Sequence, residues 1–368
     1  MIRKLWLLML VLPMYCFGQI NISGKVSDAI SNRPLPSASV FLSNATIGDR
    51  TTAEGQYQLK RVPPGKYELV VTVVGYEAYH HNIVVENKDI VLPEIKLISK
   101  TLLLKEVTVL PNKDWEMYYA IFKKEFLGES AVAKQCKIKN PDVIDLTYDK
   151  KTRTLNASSS DFIEVENKAL GYKVKYLLTK FIRDSKSGSL YFEGSALYEP
   201  MGGSESQQRK WAKARRDVYE GSTMHFLRSV LSNSVSENGF IVMRLIRKPN
   251  PAYRPGSLVE KYLQTLINAP LKAEDYTSPT DKKGTFAIKF DNCLYVMYTK
   301  RKDDSNNVYK ALDMPNYQTS IATLGEEYPL FDYNGIIENP ATITYEGYWG
   351  TARVAEMLPV DYRAYESN

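Results

Sequence analysis

Residues 20–110 are a series of short strand-like runs separated by glycine and proline turns, and this pattern constrains the fold most. Ala38, Val40 and Leu42 recur at every second position, and the run 67–74 is rich in β-prone residues. Many short strands without a helical period indicate a β-sandwich or barrel. We predict that 20–110 is one all-β domain that folds on its own.

Two glycines stand at the expected turns of this region. Gly55 follows Glu54 between two β-prone runs, and Gly65 ends the sequence Pro63-Pro64-Gly65. Such turns place a residue at positive φ, which glycine adopts without steric cost. We therefore expect positive φ at both glycines.

Two longer segments of this region carry a family resemblance. They are GKVSDAISNRPLPSASVFLSN and TTAEGQYQLKRVPPGKYELVVTVVGYEAY, which resemble the carboxypeptidase-like regulatory domain. The resemblance implies a transthyretin-like, seven-stranded Greek-key sandwich. It also implies a binding or spacer module with no catalysis of its own.

The rest of the chain, 115–368, mixes helical and strand patterns and predicts an α+β domain. Residues 111–114 look like a boundary, with Asp114 as a helix N-cap. An aromatic stripe then recurs at helical spacing up to Gly128, which we expect to end the helix, and such a stripe usually lies in a core.

Further elements of this second domain are predicted from local patterns. Ser204 and Gln207 fit a capping box, which opens one long helix reaching Leu231. Strands are predicted at 161–167, 172–178, 189–198, 239–247 and 285–300.

A second resemblance covers most of 115–362. The segments FKKEFLGESAVAKQCKIKNPDV, DFIEVENKALGYKVKYLL and EGYWGTARVAEMLPVDY are similar to those of Bacteroidota envelope proteins that join a regulatory-like domain to a domain of undefined activity. This resemblance brings no catalytic residues with it. Residues 102–110 resemble the stretch that follows the same domain in TonB-dependent receptors, or they are a last strand and linker.

The N-terminus predicts export. Arg3 and Lys4 precede the apolar run 5–15, and Cys16-Phe17-Gly18 supplies small residues for cleavage before Gln19. The run is shorter than the about 20 residues of a membrane-spanning helix. Residues 1–18 are thus a predicted signal peptide of a periplasmic or outer-membrane-associated protein.

Composition narrows the function. The chain is 44% hydrophobic and 24% charged, as in folded globular proteins, and its formal charge of +6 is too weak a bias to indicate nucleic acid. The sequence has three histidines, of which His80 and His81 should point to opposite faces of a strand. We therefore expect no metal site and no cofactor.

The best catalytic candidates are Ser222 and His225, which share a helix face with Arg228 if the helix is continuous. A serine nucleophile seldom sits inside a helix, so a structural role for His225 is favoured. Glu164 and Glu166 face one side of a strand and are paired carboxylates, yet nothing in the sequence places them in a cleft.

Cys136 and Cys293 remain in the exported chain and could form one disulfide. Because Leu294 and Val296 flank Cys293, a buried free thiol is the favoured state.

The basic run of Arg209, Lys213 and Arg216 is a candidate binding surface for phosphate groups of lipopolysaccharide or for an acidic partner. The alternative is a solvated helix start. Positive charge near a helix N-terminus opposes the helix dipole, which leaves room for a functional reason.

These observations favour a non-enzymatic interaction protein of the cell envelope whose partner is a protein or an envelope polymer. Two alternatives stay open: a hydrolase that uses Ser222 and His225, and an accessory component of TonB-linked outer-membrane uptake that uses 102–110.

Overall fold

The computed structural model of the chain describes residues 20–100, 112–254, 256, 258–303, 312, 314–325 and 328–364. The predicted signal peptide at 1–18, with Cys16, lies outside the described residues, and so does the predicted strand at 102–110.

Two four-stranded sheets form the N-terminal sandwich, which confirms the all-β prediction for this region. Residues 20–100 contain eight strands and not seven, because residues 90–97 form two short strands that pair in parallel with different parts of β1. One sheet holds β4, β1, β7 and β8, and the other has the order β3-β2-β5-β6. The strands are β1 Ile20–Asp28, β2 Ser39–Leu42, β3 Gly48–Arg50, β4 Gln56–Val62, β5 Gly65–Thr72, β6 Tyr79–Val85, β7 Ile90–Val91 and β8 Ile95–Leu97.

The two turn glycines differ. Gly55 has the expected positive φ of 76°, and an added Cβ would lie 2.4 Å from the Val26 carbonyl oxygen. The expectation for Gly65 is wrong: positive φ falls on Arg61, at 57°, and Gly65 already begins β5. Gly65 instead allows close approach of the Tyr67 ring, 3.2 Å from where a Cβ would stand.

The second region begins with α1 (Asn112–Leu127) lying on a six-stranded antiparallel sheet. Its strands are β9 Cys136–Ile138, β10 Ile144–Asp149, β11 Thr154–Ser159, β12 Ile163–Asn167, β13 Tyr172–Asp184 and β14 Leu190–Pro200. Phe122 and Phe126 are fully buried against Phe181 and Tyr176, so the aromatic stripe is core, as predicted.

The start of α1 corrects the predicted boundary. The helix includes residues 112–114, so Asp114 lies in the first turn and is not the N-cap. Gly128, with φ of 91°, ends the helix as predicted, and its N–H donates to the Lys124 carbonyl at 2.8 Å.

The predicted long helix is two helices, α2 (Glu205–Tyr219) and α3 (Thr223–Leu231). The Ser204–Gln207 capping box is present at the start of α2. The break falls at Gly221, whose φ of 82° cannot continue a helix, and Ser222 caps the next one.

A five-stranded antiparallel sheet with the order β16-β15-β19-β20-β22 follows, together with a small three-stranded sheet, β17-β18-β21. The predicted strand 285–300 is two strands, because Asn292 turns the chain at positive φ of 65°. The elements are β15 Phe240–Pro249, β16 Tyr262–Ile267, β17 Thr277–Pro279, β18 Thr285–Ile288, β19 Cys293–Lys302, β20 Tyr317–Leu324, β21 Leu330–Asp332, β22 Ile343–Gly347 and α4 Tyr348–Thr351.

The sandwich packs closely against the second region. Phe41 and Val70 are fully buried, although they point away from the sandwich core that Val40 and Val71 help to form. The ring of Phe41 contacts that of Phe162. The outer face of the β3-β2-β5-β6 sheet is therefore covered at β2 and β5.

Backbone hydrogen bonds cross the same contact. The N–H of Asn44 donates to the Ala196 carbonyl at 2.7 Å, and that of Tyr198 donates to the Ala45 carbonyl at 2.9 Å. The loop after β2 thus extends the edge of β14.

The division into domains at 20–110 and 115–368 stays a prediction.

A C-terminal segment closes the contact from a third side. Val360 is buried in the sandwich core, and its N–H donates to the Asn44 carbonyl at 2.7 Å. Asp361 accepts hydrogen bonds from the backbone and hydroxyl of Thr46.

Candidate functional site

A cleft of about 210 Å³ lies where the sandwich meets the six-stranded sheet. Residues from the segment 72–80 form one wall, residues 158–161 and 177–179 form the other, and Lys100 also lines the cleft. The site therefore depends on both parts of the chain.

The sandwich wall is the connection between β5 and β6, and hydrogen bonds hold it in place. The Gly75 carbonyl accepts from the Lys100 N–H at 2.8 Å, and the Tyr76 hydroxyl donates to Asp28 at 2.9 Å. Backbone N–H of Ser31 and the hydroxyl of Tyr76 lower the pKa of Asp28 to about 2. This wall is thus held in place by contacts within the protein itself.

The opposite wall presents three successive serines and Asp161. The Ser159 hydroxyl accepts from the Leu178 N–H at 2.9 Å, and one Asp161 oxygen accepts from the Phe162 N–H at 2.7 Å. Within the described ranges, neither Asp161 nor Lys100 forms an ion pair. An exposed carboxylate and an exposed ammonium therefore line the cleft with their charges available.

His80 links the cleft to the buried contact behind it. Its Nδ1 lies 3.1 Å from Glu68, which also accepts from the Ser195 hydroxyl at 3.4 Å. Burial opposes ionisation of Glu68, but hydrogen bonds from His80, Ser43 and Ser195 outweigh it and lower its pKa. The hydrogen bond to Glu68 raises the pKa of His80.

The lining can hold a hydroxyl-rich group. Serine hydroxyls donate and accept, a carboxylate accepts, and an ammonium donates, which matches the mixed donors and acceptors of a sugar. The cleft is smaller than the ~300–1,000 Å³ of pockets for drug-sized ligands. Its volume is therefore enough for about one ring-sized group.

The Ser222–His225 pair has other partners in the structure. The Ser222 hydroxyl caps α3 by accepting from the His225 backbone N–H at 3.2 Å. The imidazole Nδ1 accepts from the Gly221 N–H at 3.1 Å, and burial lowers the pKa of His225 to about 4. The expected shared helix face does not form, because Ser222 precedes the helix.

Arg228, the third residue of that motif, is a structural cross-link. Its guanidinium donates at 2.8 Å to three backbone carbonyls, those of Asn334, Val360 and Tyr362. It therefore ties α3 to two distant segments of the chain.

Glu164 and Glu166 lie on the outward side of β12, opposite Lys175 and Lys173 of β13. Neither lines the cleft. They are cross-strand charge partners on a half-exposed sheet face.

The disulfide alternative is wrong. Cys136 and Cys293 are free and buried, in the cores of different sheets. Burial raises the pKa of Cys136 to about 12, and the Cys293 sulfur lies 3.3 Å from the Thr323 hydroxyl oxygen.

The basic residues Arg209, Lys213 and Arg216 are all exposed on α2. Arg209 pairs loosely with Glu205 at 3.5 Å. Arg209 stands more than a turn inside the helix, so the expected dipole penalty there is small.

His80 and His81 face opposite sides of β6, opposite Val70 and Leu69 respectively, as expected. In the described part of the chain, no three His, Cys, Asp or Glu side chains cluster as metal ligands would. Among the same residues, no helix combines the length and apolarity needed to cross a bilayer.

The cleft was not predicted from the sequence. Ser158–Asp161 is a polar cluster between two apolar strands, and it was the available signal. This cluster lies near Tyr76 and Lys100 only because distant segments of the chain pack together.

Comparison with known families confirms the first resemblance. Residues 22–109 match the model of the CarboxypepD_reg-like domain family. This match covers the sandwich and not the region that follows. No curated protein matches the chain.

Solved structures give weaker likenesses. A type II cohesin–X–dockerin complex of Acetivibrio cellulolyticus shares 19% identity over 21% of this chain and 56% of that one, at a TM-score of 0.19. This chain thus spans just over half of that relative.

Two Bacteroides proteins are also similar. A candidate carbohydrate-binding protein of Bacteroides uniformis shares 13% identity over 49% of this chain and 79% of that one, at a TM-score of 0.19. A DUF3823 family protein of Bacteroides ovatus shares 10% identity over 50% of this chain and 82% of that one, at a TM-score of 0.18. TM-scores this low carry no argument about function.

Proposed function

We propose that the chain is a non-catalytic binding protein of the cell envelope that holds a hydroxyl-rich unit of an envelope polymer in the cleft. The observation that carries the proposal is that Lys100 and Asp161 line the same polar cleft, are exposed, and form no ion pair with the described residues. A carboxylate and an ammonium that face a cleft supply charge-assisted hydrogen bonds to hydroxyl groups.

The rigid walls support binding. The hydrogen bonds of Gly75, Tyr76 and Ser159 fix both sides of the cleft, so little conformational entropy is lost when a ligand enters. The regulatory-like family of the sandwich, which implies a binding or spacer module, agrees with this role.

A non-enzymatic role is favoured over the hydrolase alternative. A serine nucleophile needs a base at its hydroxyl, and the Ser222 hydroxyl instead serves as a helix cap. His225, with a pKa of about 4, is poorly suited to act as a base near neutral pH. Export through residues 1–18 would place the protein in the periplasm or at the outer membrane.

The test is binding to immobilised envelope polysaccharide and to soluble peptidoglycan fragments. Asp161→Asn and Lys100→Gln should each weaken binding about 10- to 100-fold, since a hydrogen bond to a charged group contributes about 1.5–3 kcal/mol. The matched controls are Asp145→Asn in β10 and Lys60→Gln in β4, both exposed and away from the cleft. Equal losses in the control variants, or binding unaffected by both cleft variants, would contradict the proposal.

A further inference from the structure

Helix α2 presents a row of cations to solvent. Arg209, Lys213 and Arg216 follow one another at spacings of four and three residues, which places them on one helix face. All three are exposed, and Lys210 is exposed beside them.

The opposite face of α2 is locked to the protein. The Trp211 ring packs on Gly171, where an added Cβ would lie 2.2 Å from the ring. The Trp211 Nε1 donates to the Lys168 carbonyl at 2.9 Å. Arg215 donates to the Leu170 carbonyl at 2.7 Å. The helix therefore cannot rotate about its axis, and its cations stay pointed outward.

Among the basic residues of α2, Arg215 differs from the others because it contacts the rest of the protein. Its guanidinium lies 4.0 Å from the centre of the Tyr172 ring and is used by the fold. The other four basic residues of α2 face solvent, against two acidic residues, Glu205 and Asp217. The exposed Lys168, whose ammonium lies 3.9 Å from Glu166, also stands next to the helix.

We propose that this basic face of α2 docks on the phosphate-bearing headgroups of an anionic lipid membrane. The face is the convex side of a helix, so it has no concave cradle for a single small anion. Phosphates spread over a flat surface can meet several of its cations at once, and each basic residue near such a surface adds attraction.

The same face is poorly suited to a protein partner. Interfaces between proteins are centred on aromatic or apolar anchors and are depleted of charge at the core. The outward residues of α2 include no large apolar side chain, because Trp211, Val218 and Tyr219 are buried. The helix would adhere by charge without inserting.

The test is sedimentation of chain 19–368 with phosphatidylcholine vesicles, with and without phosphatidylglycerol. The wild type should bind the anionic vesicles and lose binding as salt rises. A variant with Arg209→Gln, Lys213→Gln and Arg216→Gln should partition about a hundredfold less, since three basic residues are removed. The control carries Lys134→Gln, Lys137→Gln and Lys139→Gln, an equal charge change at exposed positions elsewhere.

Equal binding to neutral and anionic vesicles would overturn the proposal, as would equal loss in the control variant. Poly-glutamate that binds as tightly as the vesicles would instead point to an acidic protein partner and refute the membrane. Thermal unfolding of both variants should match the wild type, since the changed side chains are exposed. Cleft variants should keep vesicle binding, which separates this proposal from the polymer-binding one.

Discussion

The ring of Phe41 lies with its centroid 5.6 Å from that of Phe162, and this pair joins the outer face of the sandwich to the six-stranded sheet. Phe41 is fully buried, yet it is no part of the sandwich core. The contact also stands directly beside the cleft, since Asp161 is the residue before Phe162.

Loss of this ring should destabilise the whole chain. Phe41→Ala is expected to lower the free energy of unfolding by about 3–5 kcal/mol, because it leaves a cavity between the two parts. Chemical denaturation followed by circular dichroism measures the change. Ile30→Ala, at a side chain that is 81% exposed, is the control and should change stability by less than about 0.5 kcal/mol. Similar results for the two variants would show that the contact is not formed.

The isolated fragment 20–110 should fold as an all-β unit but self-associate. It keeps its own core apart from Val360 and loses the cover over Phe41 and Val70, which exposes an apolar patch. A fragment with Phe41→Thr and Val70→Thr should stay monomeric in size-exclusion chromatography. Poorly dispersed amide resonances in both fragments would mean that the core needs the second region.

Ser222 should tolerate an aspartate but not an alanine. Ser222→Ala removes the cap of α3 and should cost about 1 kcal/mol of stability, whereas Ser222→Asp keeps a capping oxygen. Thermal unfolding of the two variants tests this. If the Ser222→Asp variant were as unstable as the Ser222→Ala variant, the capping role would be refuted.

The His80–Glu68 pair should make stability depend on pH. The raised pKa of His80 means that its contribution is full below about 6.5 and is lost as pH rises through the folded pKa. The lowered pKa of Glu68 means that its contribution is present above about 4.5 and is lost as pH falls through the folded pKa. The pair should therefore stabilise most between these limits.

His80→Gln tests this dependence. The difference in free energy of unfolding between wild type and variant should be larger at pH 5.5 than at pH 8 and should amount to about 0.2–1 kcal/mol, because the pair is partly exposed. Chemical denaturation at the two pH values measures it. His81→Gln, which alters the neighbouring ring stacked on Tyr79, is the control. A pH-independent difference would exclude the ion pair.

Both thiols should react only after unfolding. Cys136 and Cys293 are buried, and the raised pKa of Cys136 also suppresses its thiolate. Alkylation without reductant should label neither in the native protein and both in denaturant. Failure to label either cysteine in denaturant without reductant would indicate an oxidised form.

The spacing of apolar residues predicted the elements that bury only one side. The stripe containing Phe122 and Phe126 has one buried side, so its spacing identified α1. At Gly221 and Ser222 the apolar pattern continued on both sides and hid two residues that favour a break and a cap.

The buried outer face of the sandwich could not be predicted from alternation. A strand covered on both sides gives a continuous apolar run, as Val40-Phe41-Leu42 and Leu69-Val70-Val71 do. Such a run does not say what covers the second face. The cleft was hidden for the same reason, because residues 72–80 and 158–161 meet only through that packing.

The position of Val360 in the sandwich core relates the fold to the order in which the chain is synthesised. The sandwich strands leave the ribosome first, but their core is completed by a side chain that arrives only after the whole second region has been made. Arg228 holds the carbonyl of that same residue, so α3 must be in place as well. A sandwich that forms from the N-terminal strands alone would therefore have one position of its core unfilled, and only the last segment of the chain can fill it.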